Sequence, residues 1–240
     1  MASLFQCVKD REVELNNVKD IIITGDVGCT GFDEESKTVL ASILNQKADL
    51  FFIVGDLAFM GDKNELQEVL DFCNNRASAP VYSLCGNHDI PAYKELCGIS
   101  SYALIFPQMV CVFLDNSTAR FVAADMEFLE RTLQKYADRE FMIFFHIPPP
   151  FRSQPSTMSD MEWGRIRNIM DKFKDRIACI ICGHIHGFYE YMKDGYRVFI
   201  TGGGGGKMIY DLPEGGSKIY HALKVSVGRG APVEIKVIPV

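Results

Sequence analysis

Eight side chains suited to metal binding or proton transfer stand in short polar clusters that follow apolar runs. They are Asp26 and Asp56 in two Gly-Asp pairs, Asn87, His88 and Asp89 in "GNHD", His146, and His184 and His186 in "GHIH". Polar residues at a strand end can serve only as a turn, and a single strand-end histidine is more often structural. Four of the five histidines of the chain in such places, with two Gly-Asp endings, are hard to explain that way. Imidazole together with carboxylate and amide oxygen suits Zn, Mn, Fe or Co better than Ca or Mg alone. The two imidazoles of "GHIH" can point to one side of an extended segment. Glycines before Asp26, Asp56, Asn87 and His184 allow tight turns that bring the ligands inward. Two aspartates, one asparagine and three histidines are too many for one tetrahedral site. They fit two ions sharing a bridging carboxylate, about 3.5–4 Å apart.

The elements that must position these residues repeat a pattern of strand, polar tip and helix. "DIIITGD" (20–26), "LFFIVGD" (50–56) and "VYSLCGNHD" (81–89) read as buried strands. Helical stretches at 33–47, with Val39, Leu40, Ile43 and Leu44 in register, and at 63–75 lie between them. The tips at Asp26, Asp56 and Asn87 are 30 and 31 residues apart, close to the length of a βαβ unit. Strands are read at 109–115, 140–146 and 176–186, with helices at 125–138 and around 163–173; later strands at 196–206 and 219–227 are expected to be partly antiparallel. Parallel strands bring their C-terminal ends to one edge, where open α/β folds bind ligands.

Composition narrows the function classes. The chain has 240 residues, 48% of them hydrophobic, and a formal charge of −6, so one domain (1–240) is expected and nucleic acid is not an expected partner. No apolar run approaches the ~20 residues needed to span a bilayer. No signal peptide is read at the N-terminus, and the eight cysteines are expected as reduced thiols in a cytoplasmic protein. "CIIC" (179–182) lies in a strand, where residues three apart face opposite sides, which argues against a shared metal. The "GGGGG" run (202–206) lacks a following GK[ST] and reads as a close-packed turn; His221 reads as structural.

The ordered set "GD", "GD", "GNHD", a strand-end His and "GHIH" over residues 25–186 resembles the calcineurin-like metallophosphoesterases. "GDVG" and "GDLAF" are closest in wording to the purple acid phosphatase and cyclic nucleotide phosphodiesterase branches, whereas the Asp-Arg-Gly of the protein phosphatases is missing. The resemblance implies an α/β fold, a four-layer α/β/β/α sandwich of two mixed sheets flanked by helices, with a dinuclear site at the C-terminal strand ends. Asp26 and His186 would hold one metal, Asp56 would bridge, and Asn87, His146 and His184 would complete the other. His88 would be the catalytic imidazole; Asp89 would either orient it or cap the turn. Two departures matter. Gly28 stands where many relatives have a histidine ligand, and Phe59 where purple acid phosphatases have a tyrosine. The first metal is thus one protein ligand short, a place water could fill, and no purple tyrosinate band is expected.

Hydrolysis follows from this chemistry. Two divalent ions, less two aspartates and a bridging hydroxide, leave about +1 at the centre, enough to attract a phosphoester. The bridging hydroxide would attack phosphorus in line, and His88 would serve the leaving oxygen. Segment 146–165 is expected to form a substrate rim, with Arg152 as a phosphate contact. The expected substrate is a small phosphoester, mono- or diester, with no membrane partner. Two other readings stay open: a weak or inactive metal-binding scaffold of the same fold, and a metal-free nucleotide-binding module.

Overall fold

The computed structural model describes residues 3–151, 154, 156–209, 211–227 and 233–240. Arg152 lies outside the described residues. The helices start where the sequence supplies caps. Asp33 accepts the backbone N–H of Ser36 at 3.0 Å and opens α1 (Glu34–Leu44). Asp62 does the same for α2 (Lys63–Arg76) through Asn64 and Glu65, and Ser159 for α5 (Asp160–Met170) through Glu162. The short α3 (Tyr93–Leu96) and the longer α4 (Ala123–Lys135) have no such side-chain cap.

Strand alternation sorts the apolar side chains into layers. In β2 (Asp20–Thr24), Ile21 and Ile23 face one way and Ile22 the other. Ile22 packs with Phe51, Ile53 and Val81 under α1 and α2. Ile21 and Ile23 pack with Phe52, Tyr102, Phe113 and Phe144 between two sheets. There Phe113 stacks on Tyr102 and Phe144 at 4.7 and 4.6 Å between ring centroids. A third cluster covers the outer face of the second sheet with Phe128, Leu129 and Leu133 of α4 and Trp163 and Ile166 of α5. The result is helix, sheet, sheet, helix, as the resemblance implied.

The five-stranded sheet runs β12 (Glu234–Pro239), β11 (His221–Ser226), β2, β3 (Leu50–Ile53), β4 (Val81–Ser83). The seven-stranded sheet begins with β1 (Glu12–Glu14), β5 (Tyr102–Ile105), β6 (Met109–Phe113) and β7 (Glu140–Phe144). It continues through β8 (Ile177–Cys182), β10 (Tyr196–Thr201) and β9 (Phe188–Lys193). Strands β2, β3 and β4 are parallel, as are β6, β7, β8 and β10. Strands β9, β11 and β12 pair antiparallel, so both sheets are mixed. Cys179 and Cys182 of β8 fall in different clusters on opposite faces, and all eight cysteines are free thiols.

One buried carboxylate clasps the ends of β3 and β4. Asp89 Oδ2 accepts the N–H groups of Gly86 at 2.8 Å and Asp56 at 2.9 Å; its Oδ1 accepts those of Leu57 and Ala58 at 2.7 and 3.0 Å. It thereby satisfies four N–H donors of two adjoining loops at once. Asp89→Ala leaves them buried and unpaired, and is expected to cost about 3–5 kcal/mol, measured as a lower urea midpoint at unchanged slope.

Candidate metal centre

All the donors follow parallel strands. Asp26, Asp56 and Asn87 come after β2, β3 and β4 of one sheet; His146, His184 and His186 come after β7 and β8 of the other. The structure gathers them into two groups. In one, ligand atoms of Asp56, His146 and His184 lie within 4.8 Å of one another. Asn87 joins this group, its Oδ1 lying 3.1 Å from His146 Nε2. In the other, Asp26 and His186 are joined by Cys29, again within 4.8 Å. Each group draws on both sheets. Motif wording did not single out Cys29; its only signal in the sequence is a position three residues after Asp26, inside "GDVGCTG".

The backbone is bent to achieve this. Asp26, Asp56 and His184 have left-handed φ values of 61°, 56° and 70°, conformations that cost about 1–3 kcal/mol each and gather at functional sites. They are held by cross-loop bonds: Asp26 N–H donates to Gly55 O at 3.0 Å and His88 N–H to Asp56 Oδ1 at 2.9 Å. His184 N–H donates to both oxygens of Asp26, at 3.0 and 2.9 Å. Gly55, at φ 91°, has no room for a side chain, since a Cβ there would lie 2.5 Å from His146 Nδ1. The glycine run packs in the same way, Gly202 against Asp26 and Gly206 against Cys29, which makes it a close-packed turn and not a phosphate cradle.

Two of the histidines are oriented toward the cluster by bonds from Nδ1. Nδ1 of His146 bonds Val54 O at 2.8 Å and Nδ1 of His186 bonds Lys207 O. Donation from Nδ1 leaves each Nε2 facing the cluster. Nε2 of His146 lies 3.2 Å from Asp56 Oδ2, and Nε2 of His186 lies 3.7 Å from Asp26 Oδ1. Burial pushes His184 down to about 3 and His186 below its usual value, keeping both rings neutral as a metal requires. Burial would also lower His146, but the charge and hydrogen bond of Asp56, with the charge of Asp26 and the bond to Val54 O, together outweigh it and raise the ring to about 10. Against its own burial, Asp56 is in turn drawn down to about 2 by His146. Asp26 is pushed up by burial, which the charge of Asp56 reinforces against the pull of His146. Burial and Asp56 push Asp89 up to about 7. Buried oxygens short of positive charge, facing imidazole nitrogens held toward them, fit two divalent cations.

His88 stands apart from both groups. Its half-buried ring stacks on Phe59 at 5.8 Å between centroids, so the residue that cannot coordinate serves as a platform. Asp89 does not orient that ring. Both its oxygens are spent on backbone N–H groups, so the expectation of an orienting partner gives way to the loop clasp. His221 is buried between Thr201 Oγ1 and Ile219 O, each at 3.1 Å, and pushed down to about 4 by burial, a structural residue.

Known proteins share this architecture. A purple acid phosphatase from yellow lupin (Lupinus luteus) seeds superimposes with a TM-score of 0.73 at 14% identity over 89% of this chain, which spans only 50% of that enzyme. A dimetal phosphatase from Danio rerio gives 0.68 at 12% identity, covering 92% of this chain and 99% of that one. GAP50, the anchor in the inner membrane complex of Plasmodium, also gives 0.68, at 11% identity over 92% and 84%. At such identities the likeness is one of fold. No curated protein sequence is found to match. The family model for calcineurin-like phosphoesterases matches residues 19–188, which hold every donor described above, and the chain belongs to that family.

Proposed function

We propose that this protein hydrolyses a small phosphoester, a monoester or a diester, with two divalent transition-metal ions from among Mn, Fe, Zn and Co. Asp26 and His186 hold the first ion, Asn87, His146 and His184 the second, and Asp56 is shared. When bound, the ions supply Lewis-acid charge for the phosphoryl oxygens and activate water. The rest falls to the chain. Val54 O and Lys207 O fix the tautomers of His146 and His186. Asp89 holds the Asp56 loop against the Asn87 loop. His88, tied by its N–H to Asp56 and steadied by Phe59, holds a proton at a ring nitrogen for the departing oxygen.

The observation that carries this reading is an imidazole placed beside two donor groups and belonging to neither. A pure scaffold of this fold has no need of it. A metal-free nucleotide-binding module has no need of the donors. No described helix is long and apolar enough to cross a membrane, and eight free thiols suit a reducing compartment, here taken as the cytoplasm.

His88→Ala should lower kcat by about 10²–10⁴ for alkyl phosphoesters, and much less for nitrophenyl esters, whose leaving group needs no proton. Metal content should stay at two ions, so equal losses for both leaving groups would refute the proton-donor role. Asp56→Asn should lower metal content itself, measured by elemental analysis. Because the metal-free His146 stays protonated up to about 10, an incoming ion displaces that proton. Metal affinity should therefore rise with pH, by about tenfold per unit for each proton released. Calorimetry in buffers of different ionisation enthalpy counts those protons.

A further inference from the structure

We propose that Cys29 is a further protein ligand of the first metal site, giving the ion held by Asp26, His186 and the shared Asp56 a thiolate donor. The inference rests on the two-metal reading above and concerns which atoms complete it.

Geometry points to the sulfur. Cys29 Sγ lies 3.1 Å from His186 Nε2, the nitrogen left facing the cluster by the bond from Nδ1 to Lys207 O. Asp26, Cys29 and His186 are all buried, and their oxygen, sulfur and nitrogen atoms converge within 4.8 Å. Neither alternative position can supply a ligand. At position 28 a Cβ would lie 1.9 Å from Leu57 O, because the loop after β2 packs directly on the loop after β3, with Gly28 N–H donating to Asp56 O at 3.1 Å. Only glycine fits there, and the first side chain able to turn back toward Asp26 is that of Cys29. Phe59 has no donor atom, is 45% exposed, and covers His88. The other seven cysteines belong to neither donor group.

Coordination breaks the S–H bond and forms a sulfur–metal bond, with the thiol proton passing to solvent and no change of oxidation state. A thiolate favours the softer members of the series, so zinc, cobalt or ferrous iron should displace manganese at this position while the oxygen- and nitrogen-lined second site stays less selective. It also removes one unit of positive charge from the centre.

The test is cobalt substitution of the purified full chain, read by absorption and not by turnover. Wild-type protein loaded with Co(II) should show near-ultraviolet thiolate-to-cobalt charge transfer. Cys29→Ser and Cys29→Ala should lose that band yet keep the visible bands of the second ion; Cys7→Ser should keep both. X-ray absorption of the zinc-loaded wild type should show sulfur at about 2.3 Å, one for every two zinc ions. If the cysteine variants fail to fold, the wild-type sulfur signal decides alone. Two bound ions with no sulfur signal, or a band that survives Cys29→Ser, would overturn the assignment and leave the two-metal reading intact. A protein that binds no ion would overturn both.

Discussion

Three carboxylates, Asp26, Asp56 and Asp89, are buried together at one edge of the sandwich, and the local structure is organised around their charge. Taking such groups out of water is expensive unless each finds compensation. Asp89 is satisfied by four N–H groups, and Asp56 by the ring of His146 and the N–H of His88. Asp26 receives the backbone N–H of His184 at both its oxygens and faces the histidine and cysteine of the first group. The left-handed residues, the cross-loop bonds and the glycine contacts all serve to hold these charges close. A divalent cation at either donor group would relieve that repulsion.

Much of this was legible in the chain because two signals coincide. Apolar runs ending in Gly-Asp or Gly-Asn mark parallel strands that point their tips one way, and the 30–31 residue spacing leaves room for one helix between tips. Strands β2, β3, β4, β7, β8 and β10 and helices α1, α2 and α4 lie where that pattern places them. Four strands escaped notice, for physical reasons. β1 and β9 lie at sheet edges and β12 at another, with half-exposed, charged sequences such as "EIKVIP". β5, only four residues long, lacks a polar tip of its own.

The site residues divide along a similar line. The convergence of Asp26, Asp56, Asn87 and the three strand-end histidines was readable because parallel strands bring their tips to one edge. The job of Asp89 was not, since an aspartate beside a histidine suggests orientation until the partners of its oxygens are seen. Cys29 escaped because a cysteine in a chain with eight of them reads as core filling. Its meaning depends on the approach of Gly206 and His186 from the other end of the sequence. Phe59 shows the reverse case: a side chain with no donor atom stacks on the neighbouring imidazole of His88.

Each donor group takes its ligands from both sheets, one side chain or more from the ends of β2–β4 and the rest from beyond β7 and β8. A bound ion would therefore be a rivet through the sandwich, joining two layers that already meet through apolar packing and a few hydrogen bonds, such as Tyr102 Oη to Ser83 O at 2.8 Å and His146 Nδ1 to Val54 O at 2.8 Å. The rivets would add to those bonds in fixing how far one sheet slides over the other at its edge. The spacing of the two ions then becomes a gauge of sheet alignment, and a change in the aromatic stack around Phe113 could be felt at the centre without touching a ligand.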